Sequence, residues 1–397
     1  MSESMKNTIF LTGATGFLGS YVTDRLLADT THELAMLTRA DSREAGIDKL
    51  WRAMQLHMDA HTFRGYLDRV RFIPGDLTAP GLGLALRDRH YLVEHAESVL
   101  HIAASLNRKS EKACLNQNLR GTLAVVQLAR AMHDDHGLRR FSHVSTVAVA
   151  GARDSEHVFE DDAIDWDRSD YDPYGRTKKF CEHMVRELLP DVPKTFFRPS
   201  TVMGDSRFPD TTQFDMVRAF CVLADLPLLP LRGDGRMDIV NADWVGRAVA
   251  TLHMAAAPSA EIYHLSAGED SPTLHEIAGA IARHKGKRPP VFLPALGGPF
   301  ARTMSALSNL RRRSLPQLVG SLFTVFLPYI TYDTVFDNRR AVEALGVRPV
   351  RFTEYCAELY DYAKRVGYRY PAEPLPPVFD AASGAASLPA AGDERSA

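Results

Sequence analysis

Cysteine is scarce. The 397 residues include four, Cys114, Cys181, Cys221 and Cys356, far apart and with no C-x-x-C pair. That spacing argues against a disulfide framework and a structural zinc site, and it suits a reducing compartment, so a cytoplasmic location is expected. An excess of one charge is lacking too. At a net charge of −2 no global field draws the chain to nucleic acid or to an anionic membrane, and no nucleic-acid partner is expected. No apolar run reaches the roughly 20 residues of a spanning helix. The polar start MSESMKN runs directly into an apolar segment, so no signal peptide is expected. Internal repeats are absent. What the chain does have is 45% hydrophobic residues, enough for a large core in one big domain or two interleaved ones.

The organising stretch is NTIFLTGATGFLGSYVTDRLL, from Asn7 to Leu27. Ile9, Phe10 and Leu11 form a short apolar run, a buried strand. Gly13, Gly16 and Gly19 follow at three-residue spacing, G-x-x-G-x-x-G rather than the G-x-G-x-x-G of simple dehydrogenases. Phe17, Leu18, Tyr21, Val22, Leu26 and Leu27 then recur at helical spacing. Strand, glycine turn and helix form a phosphate cradle. The first glycine allows the sharp turn, the second the approach of a pyrophosphate, and the third close packing. The helix N-terminus supplies free N–H groups and a positive dipole end.

Downstream, strands are expected at Glu33–Thr38, Val70–Pro74, Ser98–Ile102, Arg140–Ser145 and Lys194–Arg198, with helices over Asp41–His61, Glu111–Met132 and Tyr171–Leu189. This alternation predicts an α/β fold, a Rossmann-type doubly wound parallel sheet. After Pro199 the rhythm breaks. Helices at Val217–Leu223, Asp243–Met254 and Thr273–His284, with a strand at Ile262–Leu265, predict a smaller, mixed α/β C-terminal substrate domain. The expected boundaries are 1–200 for the dinucleotide domain, with 236–254 returning to it, 201–371 for the substrate region, and 372–397, rich in Ala, Pro, Ser and Gly, as a disordered tail. Pro299 to Ile330 contains Arg311-Arg312-Arg313 and an apolar stretch. A packed helix pair is favoured there over a lid that lines an apolar tunnel or touches a membrane surface.

Tyr174 and Lys178 sit at i and i+4 on one helix face. A phenol has a pKa near ~10, and a neighbouring ammonium favours its ionised form, so the pair can give a proton to a carbonyl oxygen. Ser145 and Thr146 end the fifth strand, where a hydroxyl can stabilise developing negative charge; a turn or cap is the plainer use. Arg39 ends the second strand, where an acidic residue would take the ribose 2′-OH of NAD and an arginine suits a 2′-phosphate. NADPH is therefore the expected cofactor, with NADH the alternative. Asp76, after the third strand, is placed to accept from the adenine amino group, or to serve as a turn aspartate.

TGATGFLG, the GDL at Gly75–Leu77, HIAAS, STVAV, YGRTK and FRPSTVMGDS, in this order, resemble the extended short-chain dehydrogenase/reductase superfamily from about Thr8 to Met254. LTRADSREAGIDKL, FIPGDLTAPGLGL and RPSTVMGDS look most like its thioester reductase and fatty acyl-CoA reductase branch. The resemblance implies a catalytic group of Thr146, Tyr174 and Lys178. It implies a phosphate loop of Gly13, Thr15, Gly16, Phe17, Leu18 and Gly19, and 2′-phosphate contacts from Arg39 and Lys49. Asp76 and Leu77 match the adenine site, Ala103 and Ala104 the loop near the pyrophosphate and ribose, and Pro199 and Ser200 the loop beside the nicotinamide.

The activity expected on this basis is NADPH-dependent reduction of an acyl thioester, on coenzyme A or an acyl carrier protein, to an aldehyde and then in principle to the alcohol. No cysteine lies beside the triad in sequence, so no covalent acyl-enzyme is expected. The alternative keeps fold and triad but takes a sugar nucleotide, or a small alcohol or ketone. A dinucleotide-sensing module without chemistry is the third reading, and the Tyr–Lys pair opposes it. Oligomeric state is left open.

Overall fold

The computed structural model describes residues 7–310 and 314–377. Seven strands, β1 (Thr8–Thr12), β2 (Glu33–Thr38), β3 (Val70–Pro74), β4 (Ala96–His101), β5 (Arg140–Val144), β6 (Lys194–Pro199) and β7 (Ile262–Leu265), form one sheet in the order β7-β6-β5-β4-β1-β2-β3. Every pairing is parallel. The chain winds one way from β1 through β2 to β3, and the other way from β4 outward. The switch point lies between β1 and β4, and the crevice of such a sheet opens at the carboxyl ends of the strands there.

Alternation along each strand sorts the core into two layers. Ile9, Leu11, Leu34, Met36 and Leu100 face one layer, and Phe10, Ala35, Val99 and Phe141 the other. The helices that cover them include α1 (Phe17–Asp29), α2 (Gly121–His136), α3 (Pro173–Leu188) and α4 (Ala242–Met254). α4 comes from beyond residue 200 and packs against α1. Their approach is close at Gly246, where a Cβ would fall 2.5 Å from the Tyr21 Cβ. β7 likewise joins the sheet from within the stretch expected to form the substrate region, and it pairs with β6. A buried fork ties α3 to β6. Arg198 Nε and Nη2 donate to Glu182 Oε1 and Oε2 at 2.9 and 2.7 Å. Breaking one side of such a buried pair costs about 3–5 kcal/mol, so it holds α3 in register with the sheet.

Several elements differ from expectation. The helix expected over Asp41–His61 ends at Met54. A second one, Ala60–Tyr66, begins at Asp59, whose carboxylate accepts from His61 N and Thr62 N and caps it. A helix at Leu86–His95 buries only Leu92, too little apolar periodicity to read from sequence. The segment after Ser110 is helical but passes through a π-turn at Leu115–Arg120.

The Pro299–Ile330 region is a helical hairpin, α5 (Gly297–Ser308) and α6 (Leu315–Thr331). A Cβ at Gly320 would meet the Leu307 Cβ at 2.6 Å, so the two helices cross closely. The packed pair is thus present, and α6 also lines the central cleft with Phe326 and Tyr329. The Arg311–Arg313 cluster lies outside the described residues. Among the described residues no helix is long and apolar enough to cross a membrane. The start of the expected disordered tail is ordered instead. Trp51 Nε1 and Gln55 Nε2 donate to Glu373 O at 3.0 and 3.1 Å. Residues 378–397 lie outside the described residues.

Candidate active site

Gly13 leaves β1 with a φ of +83°, and a Cβ there would lie 2.7 Å from Ala103 N. The β1 turn therefore presses against the loop after β4, with Ala103 N donating to Thr12 Oγ1 at 3.3 Å. At Gly19 a Cβ would fall 1.9 Å from Gly13 O, so the first turn of α1 sits directly on the glycine turn. Gly16 is the N-cap of α1, and no side chain caps the helix. The first N–H groups of α1 are left for a ligand, and an anion is the species they favour.

One cleft of about 580 Å³ opens from this turn. Gly13, Thr15, Gly16, Phe17, Leu18 and Gly19 line it at one end, with Ala103 and Ala104 beside them. Arg39, Lys49, Asp76 and Leu77 line it near β2 and β3, and Thr146, Tyr174, Lys178, Pro199 and Ser200 line it near β5 and β6. All the residues singled out from sequence thus share one cavity. Arg39 and Lys49 are both exposed, and Lys49 Nζ donates to the Arg39 carbonyl, which brings the two cations to one corner. Asp41 is exposed and is not part of the lining. Asp76 serves as a turn aspartate. Its Oδ1 accepts from Thr78 N and Thr78 Oγ1, both at 2.7 Å, and these bonds hold its carboxyl below the usual range.

Thr146 closes β5 and caps a short turn, accepting from Ala148 N at 3.3 Å. Its side chain also hydrogen-bonds Tyr174, which works against burial to lower that phenol's pKa. α3 begins at Pro173 with Asp172 as its N-cap, two residues after the expected Tyr171. It carries Tyr174 and Lys178 on one buried face, at 7% and 2% exposure. Burial pushes the Tyr174 phenol up to about 12. The Lys178 ammonium does not press on this phenol as expected; the cation that lowers it is Arg108, whose guanidinium lies 4.9 Å from the ring centre. Lys178 Nζ donates to Val144 O at 2.6 Å, and burial pulls its pKa down to about 8.

Arg108, Asp172 and Tyr329 were not singled out by sequence. Arg108 Nη1 donates to Asp172 Oδ2 at 3.1 Å, and the guanidinium lies 4.1 Å from the Tyr329 ring centre. Met216, Phe326, Tyr329 and Tyr332 give the cleft an apolar, aromatic wall beyond Tyr174. Asp172 had a signal in the Asp-Pro helix start. Arg108 and Tyr329 had none, because they lie 221 residues apart and meet only through the hairpin.

Residues 11–249 match the family model described as Male sterility protein, an NAD-binding family. The chain belongs to this family. It is 24% identical over 370 residues to the nonribosomal peptide synthetase hkm10 of Aspergillus hancockii, covering 88% of this chain and 34% of that protein. It is 26% identical over 243 residues to the fatty acyl-CoA reductase wat of Drosophila melanogaster, covering 54% of this chain and 46% of that one. The chain thus spans less than half the length of these relatives. Among solved structures, the terminal R domain of the myxalamid PKS-NRPS biosynthetic pathway superposes with a TM-score of 0.76 at 22% identity, covering 92% of each chain. That likeness shows a shared fold.

Proposed function

We propose that this family member reduces an acyl thioester with NADPH, releasing an aldehyde and a free thiol. The carrying observation is that one cleft joins an uncapped glycine turn, a two-cation corner and the Thr146–Tyr174–Lys178 group to an aromatic wall. The match to a family with carrier-linked and acyl-CoA-linked relatives supports a thioester on coenzyme A or a carrier protein.

The residues suit a dinucleotide. A Cβ at Gly13 or Gly19 would collide with backbone, so glycine lets the turn pack closely and bring its N–H groups to a pyrophosphate. Gly13, Thr15, Gly16, Phe17, Leu18 and Gly19 would hold the phosphates, and Arg39 with Lys49 the 2′-phosphate. Asp76 and Leu77 would flank the adenine, Ala103 and Ala104 the ribose, and Pro199 and Ser200 the nicotinamide. When bound, the cofactor supplies the hydride.

Thr146 accepts from Ala148 N, and its hydroxyl would turn from Tyr174 to donate to a substrate carbonyl oxygen. Tyr174, raised to about 12, keeps its proton at neutral pH and donates to the same oxygen. Two such donors stabilise the negative charge that develops there, and Tyr174 can deliver the proton to it. Collapse of the resulting hemithioacetal expels the thiol. Lys178 spends one N–H on Val144 O and keeps two for ribose hydroxyls.

The test is NADPH oxidation over a panel of acyl-CoA and acyl-pantetheine thioesters, with thiol release followed in parallel. Loss of both signals in Tyr174→Phe supports the reading. Turnover of sugar nucleotides or ketones without thiol release sinks it.

A further inference from the structure

Ser200 follows Pro199 at the end of β6 and lines the cleft. Its Oγ donates to Asp238 Oδ1 at 2.6 Å. Asp238 is fully buried, and the same oxygen accepts from Ala267 N at 2.8 Å. The surroundings hold the pair in place. Ser200 N donates to Leu265 O at 3.1 Å, Thr201 N donates to Asp238 O at 3.3 Å, and Thr201–Val202 pairs in parallel with Ile239–Val240.

A hydroxyl has one proton and two lone pairs. The Ser200 proton is committed to a buried carboxylate oxygen that can only accept. Towards the cleft, Ser200 can therefore offer lone pairs alone. Burial raises Asp238 to about 6, so it is ionised at pH 8. A proton on Oδ2 would not alter the arrangement, because Ala267 N still requires Oδ1 as an acceptor.

We propose that Asp238 is a positioning residue that fixes Ser200 as a pure acceptor for the carboxamide NH2 of the nicotinamide. This rests on the dinucleotide reading above and adds a residue that never lines the cleft. An NH2 donor meets a lone pair, whereas a carbonyl or methyl group at that point meets no donor. The pair thereby selects which way the carboxamide turns.

The experiment is equilibrium binding at pH 8 of NADP+ and of its 3-acetylpyridine analogue, which carries a methyl group where the carboxamide has NH2. The whole chain is used, and the fold of each variant is checked by circular dichroism. Wild type is expected to prefer NADP+ by about tenfold, the worth of one hydrogen bond in a closed site. Ser200→Ala is expected to reduce that preference to within about twofold, since no acceptor remains to reward the NH2. Asp238→Ala is expected to do the same by freeing the Ser200 proton. Asp238→Asn is expected to restore the preference, because its amide oxygen takes the place of Oδ1. An unchanged preference in Ser200→Ala overturns the proposal. So does its loss in a folded Asp238→Asn, which would assign the effect to charge. These two variants decide the matter even if Asp238→Ala does not fold. Failure of the wild type to bind either dinucleotide would overturn the cofactor reading itself, an outcome distinct from binding without discrimination.

Discussion

The Tyr329 hydroxyl donates to Asp172 Oδ2 at 2.7 Å, while Asp172 Oδ1 accepts from Gly175 N at 2.8 Å. One carboxylate thus fastens the C-terminal hairpin to the first turn of the helix that carries Tyr174. Arg108 shares Oδ2 from the other side, so three segments distant in sequence meet at the mouth of the site.

Tyr329→Phe removes the hairpin's bond but leaves Asp172 paired with Arg108. A hydrogen bond to a charged group is worth about 1.5–3 kcal/mol, so a lower melting temperature is expected. The wall beyond Tyr174 should loosen, raising KM for the acyl substrate several-fold while the affinity for NADPH stays within about twofold. Calorimetry and steady-state kinetics check both. Equal changes in both affinities would mean that the hairpin supports the whole cleft rather than its substrate end.

Gly19→Ala places a methyl 1.9 Å from Gly13 O, a contact that only a backbone shift can relieve. Overpacking of this kind costs about 1–3 kcal/mol. Dinucleotide affinity should fall at least about tenfold, since the shifted atoms are the ones proposed to cradle the pyrophosphate. Fluorescence titration with NADPH measures it. Unaltered binding would remove the glycine turn from the cofactor site.

Activity should depend on pH through Lys178. Its folded-state pKa is depressed to about 8, so the protonated form proposed to hold the ribose is lost as pH rises through that value. Tyr174, at about 12, stays protonated across the same range and cannot account for the fall. The expected profile is a plateau below pH 8 and a decline above it. In Lys178→Arg the side chain keeps its charge, so the decline should move to higher pH even though overall activity is lower. A decline that persists unmoved in this variant would assign the titration to another group.

Arg39→Ala should lower the preference for NADPH over NADH by about tenfold or more, with kcat on saturating NADPH little changed, because a charge-assisted contact to phosphate is lost far from the reacting atoms. Lys49→Ala should act in the same direction and less strongly. Its ammonium is a compact point charge without the guanidinium's planar fork, and part of its hydrogen-bonding capacity goes to the Arg39 carbonyl. Specificity constants for both cofactors provide the measurement, and an unchanged ratio in both variants would place the 2′-phosphate elsewhere.

Much of this protein is legible locally. The strand–glycine–helix start and the Tyr174/Lys178 spacing need only period and sterics over a few residues. Backbone geometry makes those signals short-ranged, so the sheet strands and one wall of the cleft follow from the chain itself. The break of the helix after Met54 is not legible because Met58 continues the apolar spacing of Ile47, Leu50 and Met54. The Leu86–His95 helix was missed because a single buried leucine leaves no stripe to read. Only the tertiary structure decided that β7 belongs with the main sheet, that α6 lends Phe326 and Tyr329 to the cleft, and that Arg108 is the cation beside Tyr174. It alone set the ionisation of the site. A phenol near 12 and an ammonium near 8 come from burial, and burial is a property of everything packed around a group rather than of its neighbours in sequence.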